Sequence, residues 1–396
     1  KEMIGKNAIV FCLALATAEI MHTVEGLQSS DSSSRRDFFN KAGASVLTSA
    51  SSPLWIPGAA RAESSAASAS PIKLPPIGLG CWAWGDSLFW GYNPKQDSDL
   101  EEVFNYAVSK SSPVLIDTAE LYGLGRSESL IGDFTKNTKP EDTILATKFA
   151  ALPFRTKPEA VVKACEASMK RLGRQIDLYQ IHFPNAFANE AYWDGLAMAY
   201  EKGFVKAVGV SNYGVDATRA CHAALAKRGI PLATNQIQYS LLYRFPEENG
   251  LLQACQDLGI QVLSYSPLAL GLLTGKYTTE NVDKIQGPRK GLFKKTVGTP
   301  EFENLIISMK AVAKEHSGAN LPQVAINYAR AHQTVPIPGA RNLRQVTSNY
   351  GSLDWEMSAE EVKFLDKAAS KLSYIDPNAS PFPKKDKDTG LKMFDS

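Results

Sequence analysis

Four ionisable side chains sit where successive apolar runs end. Asp117 closes the run 113–117, Lys148 the run 143–148 and His182 the run 176–182. Tyr122 follows five residues after Asp117, in Ile116-Asp117-Thr118-Ala119-Glu120-Leu121-Tyr122-Gly123. Taken singly, each has an ordinary structural use. An Asp caps a turn, a Lys is solvated, and a His is satisfied in a core. Taken together they describe acid–base chemistry. A tyrosine hydroxyl titrates near about 10, too high for efficient proton donation at neutral pH. A neighbouring cation lowers that value. Lys148 can supply the cation, Asp117 can hold Lys148, and His182 can hydrogen-bond and orient a substrate oxygen. Such a set could protonate a carbonyl oxygen while a hydride reaches its carbon.

These groups need strands that end at one mouth. From residue 77 the apolar runs are 77–82, 113–117, 143–148, 176–182, 206–210, 233–236, 261–265 and 334–337. Near-continuous apolar runs suit strands buried on both faces of a parallel sheet. Between them lie amphipathic stretches such as 158–172 and 188–201, and Asp97-Ser98-Asp99 offers an N-cap for the first helix. Eight such units predict an α/β fold, a (β/α)8 TIM barrel in a single domain over 72–375. A doubly wound sheet competes, but Gly78-Leu79-Gly80-Cys81-Trp82 fails the G-x-G-x-x-G pattern. The connection 266–300 is long and follows the seventh strand, which marks it as a lid over the site. Aromatic residues Trp84, Trp90, Phe149, Phe154 and Phe183 are expected to line the mouth, where they suit apolar or planar carbonyl compounds.

Composition narrows the partners. The chain has 396 residues with 43 Lys+Arg against 41 Asp+Glu, a formal net charge of +2. No global field points to nucleic acid or an anionic membrane. Five cysteines lie far apart without a C-x-x-C pair, so neither a zinc ribbon nor a disulfide scaffold is expected. There is no metal-spaced His/Asp cluster and no G-x-S-x-G elbow, which weakens a hydrolase reading.

The first segment reads as addresses, with no stable membrane span in the mature chain. The apolar run 8–20 is too short to span a bilayer and resembles a signal-peptide core. Ser34-Arg35-Arg36-Asp37-Phe38-Phe39-Asn40-Lys41 matches a twin-arginine export pattern, and Ala60-Arg61-Ala62 a cleavage signal. Tandem addresses over 1–62, then a linker 63–71, suggest an algal plastid, in the thylakoid lumen or the stroma. A bacterial periplasm would need only the second signal. Residues 376–396 read as a flexible tail.

The four-residue set and the stretch Trp193-x-x-Leu196…Gly203-x-Val205-Lys206-x-Val208-Gly209-Val210-Ser211-Asn212-Tyr213 resemble the aldo-keto reductases, over about 72–372. The chain is most similar to the plant chloroplast members, sharing Gly-Cys-Trp-Ala-Trp-Gly at 80–85, Ala-Thr-Lys-Phe-Ala-Ala at 146–151 and Val-Pro-Ile-Pro-Gly at 335–339. That resemblance implies an NADPH-dependent reductase of a small aldehyde or ketone, with catalytic Asp117, Tyr122, Lys148 and His182. It implies that Ser211, Asn212 and Gln236 hold the nicotinamide carboxamide and that Tyr265 stacks on the ring. Ser266, Leu268, Thr274, Gly275 and Lys276 would follow the pyrophosphate, and Trp82 and Cys81 would lie beside the ribose. Gly339, Arg341, Gln345 and Asn349 would hold the adenosine end, Arg341 pairing with a 2′-phosphate. Family members that serve as cofactor-sensing channel subunits leave a binding role as the alternative. Pyridoxal, reduced by some relatives, is a substrate candidate. Oxidation of Cys81 could block cofactor entry; an inert buried thiol is the competing reading.

Overall fold

Short β-rich runs alternate with amphipathic helices through the whole described chain, and each run forms a strand. The computed structural model describes residues 72–372 apart from 186 and 288. The leader 1–62, the linker 63–71 and the tail 376–396 lie outside the described residues. The strands are β1 (Gly78–Gly80), β2 (Val114–Asp117), β3 (Thr143–Phe149), β4 (Ile176–Ile181), β5 (Val205–Ser211), β6 (Leu232–Gln238), β7 (Gln261–Tyr265) and β8 (Val335–Pro336). They pair in sequence order and in parallel. A parallel bridge between Gly80 and Gly339, with Gly80 N donating to Pro338 O, closes β8 back onto β1. The chain is therefore a (β/α)8 barrel. Closure requires glycine at position 80, where a Cβ would stand 2.7 Å from the Ile337 carbonyl oxygen.

The helices wrap the sheet as α1 (Asp97–Lys110), α2 (Arg126–Phe134), α3 (Pro158–Leu172), α4 (Asn189–Glu201), α5 (Val215–Ala226), α6 (Phe245–Glu248), α7 (Leu251–Asp257), α8 (Lys290–Thr296), α9 (Pro300–Glu315), α10 (Leu321–Ala331), α11 (Leu343–Tyr350) and α12 (Ala359–Ala369). Their apolar faces pack on the outward side chains of the strands, while Leu115, Ile144, Ala146, Leu178, Ala207, Ala233, Leu263, Val335 and Ile337 form a separate core. The expected N-cap at 97–99 is not used. α1 begins at Asp97 with Gln96 as its cap residue. Asp97 is engaged sideways instead, accepting from Tyr92 OH at 2.6 Å and Arg126 Nη2 at 2.6 Å.

The long connection after β7 is folded rather than bare. It contains 3-10 turns at Ala269–Thr274 and Val282–Lys284, then α8. Leu272, Leu273, Val282, Ile285, Phe293 and Val297 bury themselves with α9, α10 and α12 in a satellite core. Apolar burial of this kind fixes the connection's path over the end of the barrel.

Candidate active site

Alternation inside each strand selects the site. Leu115 of β2 faces the inner core and so does Asp117 two residues on. Ile144 and Ala146 of β3 lead in the same way to Lys148, Leu178 of β4 to Gln180 and His182, Ala207 of β5 to Gly209 and Ser211, and Leu263 of β7 to Tyr265. The polar groups are thus the last inward positions of their strands, all at the C-terminal mouth where barrels keep their chemistry.

Lys148 is the hub. Its Nζ donates to Asp117 Oδ1 at 2.6 Å, to Thr118 O at 2.8 Å and to Tyr122 OH at 3.5 Å. The lysine side chain is 0% exposed and that of Asp117 3%, so this is a buried ion pair. Gln236 Nε2 donates to the other Asp117 oxygen at 2.7 Å across the barrel. Burial pulls the Lys148 ammonium below its usual range, and Asp117 opposes this only in part. His182 packs edge-on to Tyr122, with ring centroids 5.6 Å apart. Burial, and then Lys148, hold its imidazole well below the usual histidine range, so it is neutral at physiological pH. Its Nδ1 is buried and has no hydrogen-bond partner among the described residues.

Tyr122 corrects an expectation. Burial pushes its phenol well above the usual range and Asp117 pushes it further, so the net shift is upward although Lys148 Nζ lies 3.5 Å from the hydroxyl. The hydroxyl is a fully protonated donor at any physiological pH. Cys81 has the surroundings of the inert buried thiol. It is fully buried, donates weakly to Leu79 O at 3.6 Å, and its thiol is held well above the usual value by burial and then Asp117. A reactive thiol needs the opposite environment.

The remaining candidates surround this centre. Ser211 Oγ donates to Gln236 O at 2.8 Å, and Asn212 Nδ2 donates to His182 O at 3.0 Å and to Ser211 Oγ at 3.1 Å. Tyr265 OH donates to Asn212 Oδ1 at 2.9 Å. Asn212 holds φ +61°, and Ser266, Ala269 and Leu270 are likewise left-handed at +52°, +48° and +57°. Such backbone, costly for non-glycine residues, gathers where ligands are gripped. Leu268 precedes the turn that ends at Thr274 and Gly275, and Lys276 is exposed beyond it. Near β8, Asn349 Nδ2 donates to Gly339 O at 3.3 Å, and Gln345 Oε1 accepts from Arg341 N at 2.8 Å.

Arg341 is joined by a residue that sequence reasoning missed. Arg289, from the connection after β7, lies over the Trp90 ring at 4.9 Å, and Arg341 over the same ring at 5.8 Å. Arg341 Nη1 also donates to Trp90 O at 3.1 Å. Burial and then Arg289 lower the Arg341 pKa. Two like charges held together beside a buried indole N–H of Trp90, unpartnered among the described residues, form a donor set suited to an anion. No motif marks Arg289, because only the folded path of the connection brings it there.

The aromatic lining also differs in part. Trp84 is fully buried, donating from Nε1 to Ala340 O at 2.9 Å, and belongs to the outer core. Phe149 is buried against Tyr192 at 5.2 Å, and Phe183 lies against His182 at 5.5 Å. Phe154 is exposed. Trp82 takes the place given to Trp84, with its ring 6.3 Å from Tyr122, 4.8 Å from Phe89 and 5.4 Å from Trp90.

The sequence profile of the Aldo/keto reductase family matches residues 76–370. The chain belongs to that family. Pyridoxal reductase, chloroplastic, of Arabidopsis thaliana is 41% identical over 315 residues, covering 76% of this chain and 85% of the relative. Aldo-keto reductase yakc [NADP(+)] of Schizosaccharomyces pombe is 27% identical over 328 residues, covering 78% and 92%. Among solved structures, the glycerol dehydrogenase of Gluconobacter oxydans superposes with a TM-score of 0.61 at 25% identity, covering 79% of this chain and 94% of that one. As an aldo/keto reductase, the chain is an oxidoreductase of small carbonyl compounds. No helix among the described residues is long and apolar enough to cross a membrane, and no metal-holding cluster occurs among them.

Proposed function

We propose that this reductase uses NADPH to convert an aldehyde or ketone to an alcohol, with Tyr122 as the proton donor. The observation that carries the reading is the buried Asp117–Lys148 pair, with Lys148 Nζ 3.5 Å from Tyr122 OH and the unpartnered His182 nitrogen beside it. The nicotinamide, when bound, supplies the hydride to the carbonyl carbon. The residues of the chain do the rest. His182 donates a hydrogen bond to the carbonyl oxygen and fixes it toward Tyr122. The Tyr122 O–H bond breaks as its proton passes to that oxygen, and Lys148 stabilises the phenolate left behind.

The cofactor fits the donors present. Arg289 and Arg341, together with the Trp90 indole N–H, suit a 2′-phosphate and favour NADPH over NADH. Ser211, Asn212, Gln236 and Tyr265 would hold the nicotinamide end. Ser266, Leu268, Thr274, Gly275 and Lys276 would follow the pyrophosphate, and Gly339, Gln345 and Asn349 the adenosine end. The name of the fission-yeast relative, with its NADP(+), supports the same choice. The Arabidopsis relative makes pyridoxal the first substrate to test, and a plastid the first location. The test is NADPH oxidation with a panel of aldehydes and ketones that includes pyridoxal. Tight NADPH binding without turnover of any member would replace the reductase reading with a cofactor-sensing one. Fusion of residues 1–70 to a fluorescent protein, with Arg35 and Arg36 changed to Lys, separates lumen from stroma.

A further inference from the structure

One charged group at the mouth has no part in the reduction itself. Asp86 lies on the loop after β1 and is half-buried. Its Oδ1 accepts from Phe89 N at 2.9 Å, and its carbonyl oxygen accepts from Tyr92 N at 3.0 Å. These bonds fold the loop so that Phe89 stacks on Trp82 at 4.8 Å, with Trp90 edge-on to Trp82 at 5.4 Å and inclined to Phe89 at 5.1 Å. The loop is pressed onto the one that carries Tyr122. A Cβ on Gly123 would stand 2.3 Å from the Gly85 carbonyl oxygen, so both backbones pass in contact. Asp86 is close enough to Tyr122 to add to the upward push on its phenol.

The other carboxylates around this mouth are matched. Lys148 pairs with Asp117, Arg155 with Glu120 at 2.7 Å and Arg126 with Asp97 at 2.6 Å. Arg289 and Arg341 lie over Trp90 and are assigned above to the cofactor phosphate. Asp86 has no cation within ion-pair distance among the described residues. A carboxylate without a counter-ion, beside the electron-rich rings of Trp82 and Phe89, favours a positively charged guest.

We propose that the substrate is an aromatic carbonyl compound carrying a cationic or protonated ring nitrogen. Its ring packs against Trp82 and Phe89, and Asp86 reads its charge. This specificity role rests on the reductase reading, and the experiment separates the two. Reduction of 1-methyl-4-formylpyridinium and of benzaldehyde is measured with the wild type and with Asp86→Asn. The Asn side chain keeps an oxygen for Phe89 N, so the loop retains its fold. The cationic aldehyde is intrinsically more reactive, but that factor cancels when the ratio of kcat/KM values is compared between the two proteins. A half-exposed charge contact predicts that the ratio falls about fivefold in the variant, chiefly through KM. Wild-type preference for the cation also shrinks as salt rises toward about 1 M. If Asp86→Asn is inactive, the salt series and Asp86→Glu, which keeps the charge and the preference, decide the matter. An unchanged ratio, or a preference indifferent to salt, overturns the proposal and leaves the reductase intact. Failure of the wild type to reduce either aldehyde, or any member of the wider panel, overturns both.

Discussion

Asp117→Asn tests the architecture of the site most directly, because it removes one charge and almost no volume. In the native protein Asp117 accepts from Lys148 at 2.6 Å and Gln236 at 2.7 Å. Gln236 can turn its amide to meet an asparagine. Lys148 cannot adapt, since its side chain is 0% exposed and, among the described residues, Thr118 O is its only other strong acceptor. Breaking a buried pair by removing one partner costs about 3–5 kcal/mol. An independent bound agrees. Lysine escapes by losing its proton, and holding a group of ordinary pKa about 10.4 neutral at pH 7 costs roughly 4.6 kcal/mol at 1.36 kcal/mol per unit. The pH dependence follows from the same step. In the variant the folded Lys148 is neutral while the unfolded one binds a proton, so stability rises with pH, by about 1.4 kcal/mol per unit between pH 7 and 9. The wild type, whose Lys148 is lowered less because Asp117 opposes the shift, gains little over that window. Urea unfolding at pH 7, 8 and 9 should therefore show a large deficit that closes as pH rises. A loss under about 1 kcal/mol at pH 7, or a deficit that does not change with pH, refutes the buried-charge account.

Tyr122→Phe keeps the ring and removes the proton donor, so kcat should fall by about 10²-fold or more with NADPH affinity nearly unchanged; full activity would remove Tyr122 from the mechanism. Arg341→Ala and Arg289→Ala should each weaken NADPH binding by about ten- to a hundredfold and spare NADH, measured by fluorescence titration. Equal losses for both nucleotides would place these arginines on the pyrophosphate or in the fold. Because burial and Asp117 hold the Tyr122 phenol high, the alkaline limb of kcat/KM should fall above about pH 10. A limb near neutrality would contradict that environment.

The sequence carried the barrel and its centre because both depend on period-two alternation. Asp117 and Lys148 share the parity of Leu115 and Ala146, and in a parallel strand that parity survives folding. Parity stops where the strand stops. β1 ends at Gly80, so Trp82 and Trp84, equally spaced in sequence, turn to opposite environments: one to the mouth, the other to Ala340 in the outer core. Arg289 was illegible for a related reason. Its position depends on how 3-10 turns and a satellite core route the connection from β7, and no local pattern encodes that route. Asp97 shows a third limit. Its composition suits a cap, but Tyr92 and Arg126 compete for the carboxylate and win it sideways.

In the mechanism proposed for Tyr122, its environment changes how the acid works. Matching a donor to neutral pH balances its supply of proton against its strength. A phenol held high gives up strength in the ground state but is always loaded. Its proton leaves only when hydride transfer turns the carbonyl oxygen into an alkoxide, which is far more basic than a phenolate. At that moment a negative charge appears 3.5 Å from Lys148 Nζ. At an effective dielectric of about 20 that attraction is roughly 5 kcal/mol, before the opposing Asp117 carboxylate is counted. The attraction does not exist while the phenol is neutral, so it favours the transition state over the bound substrate. Lys148 then acts on the charge that the reaction creates, and Asp117 acts by keeping Lys148 charged and in place until that charge arrives.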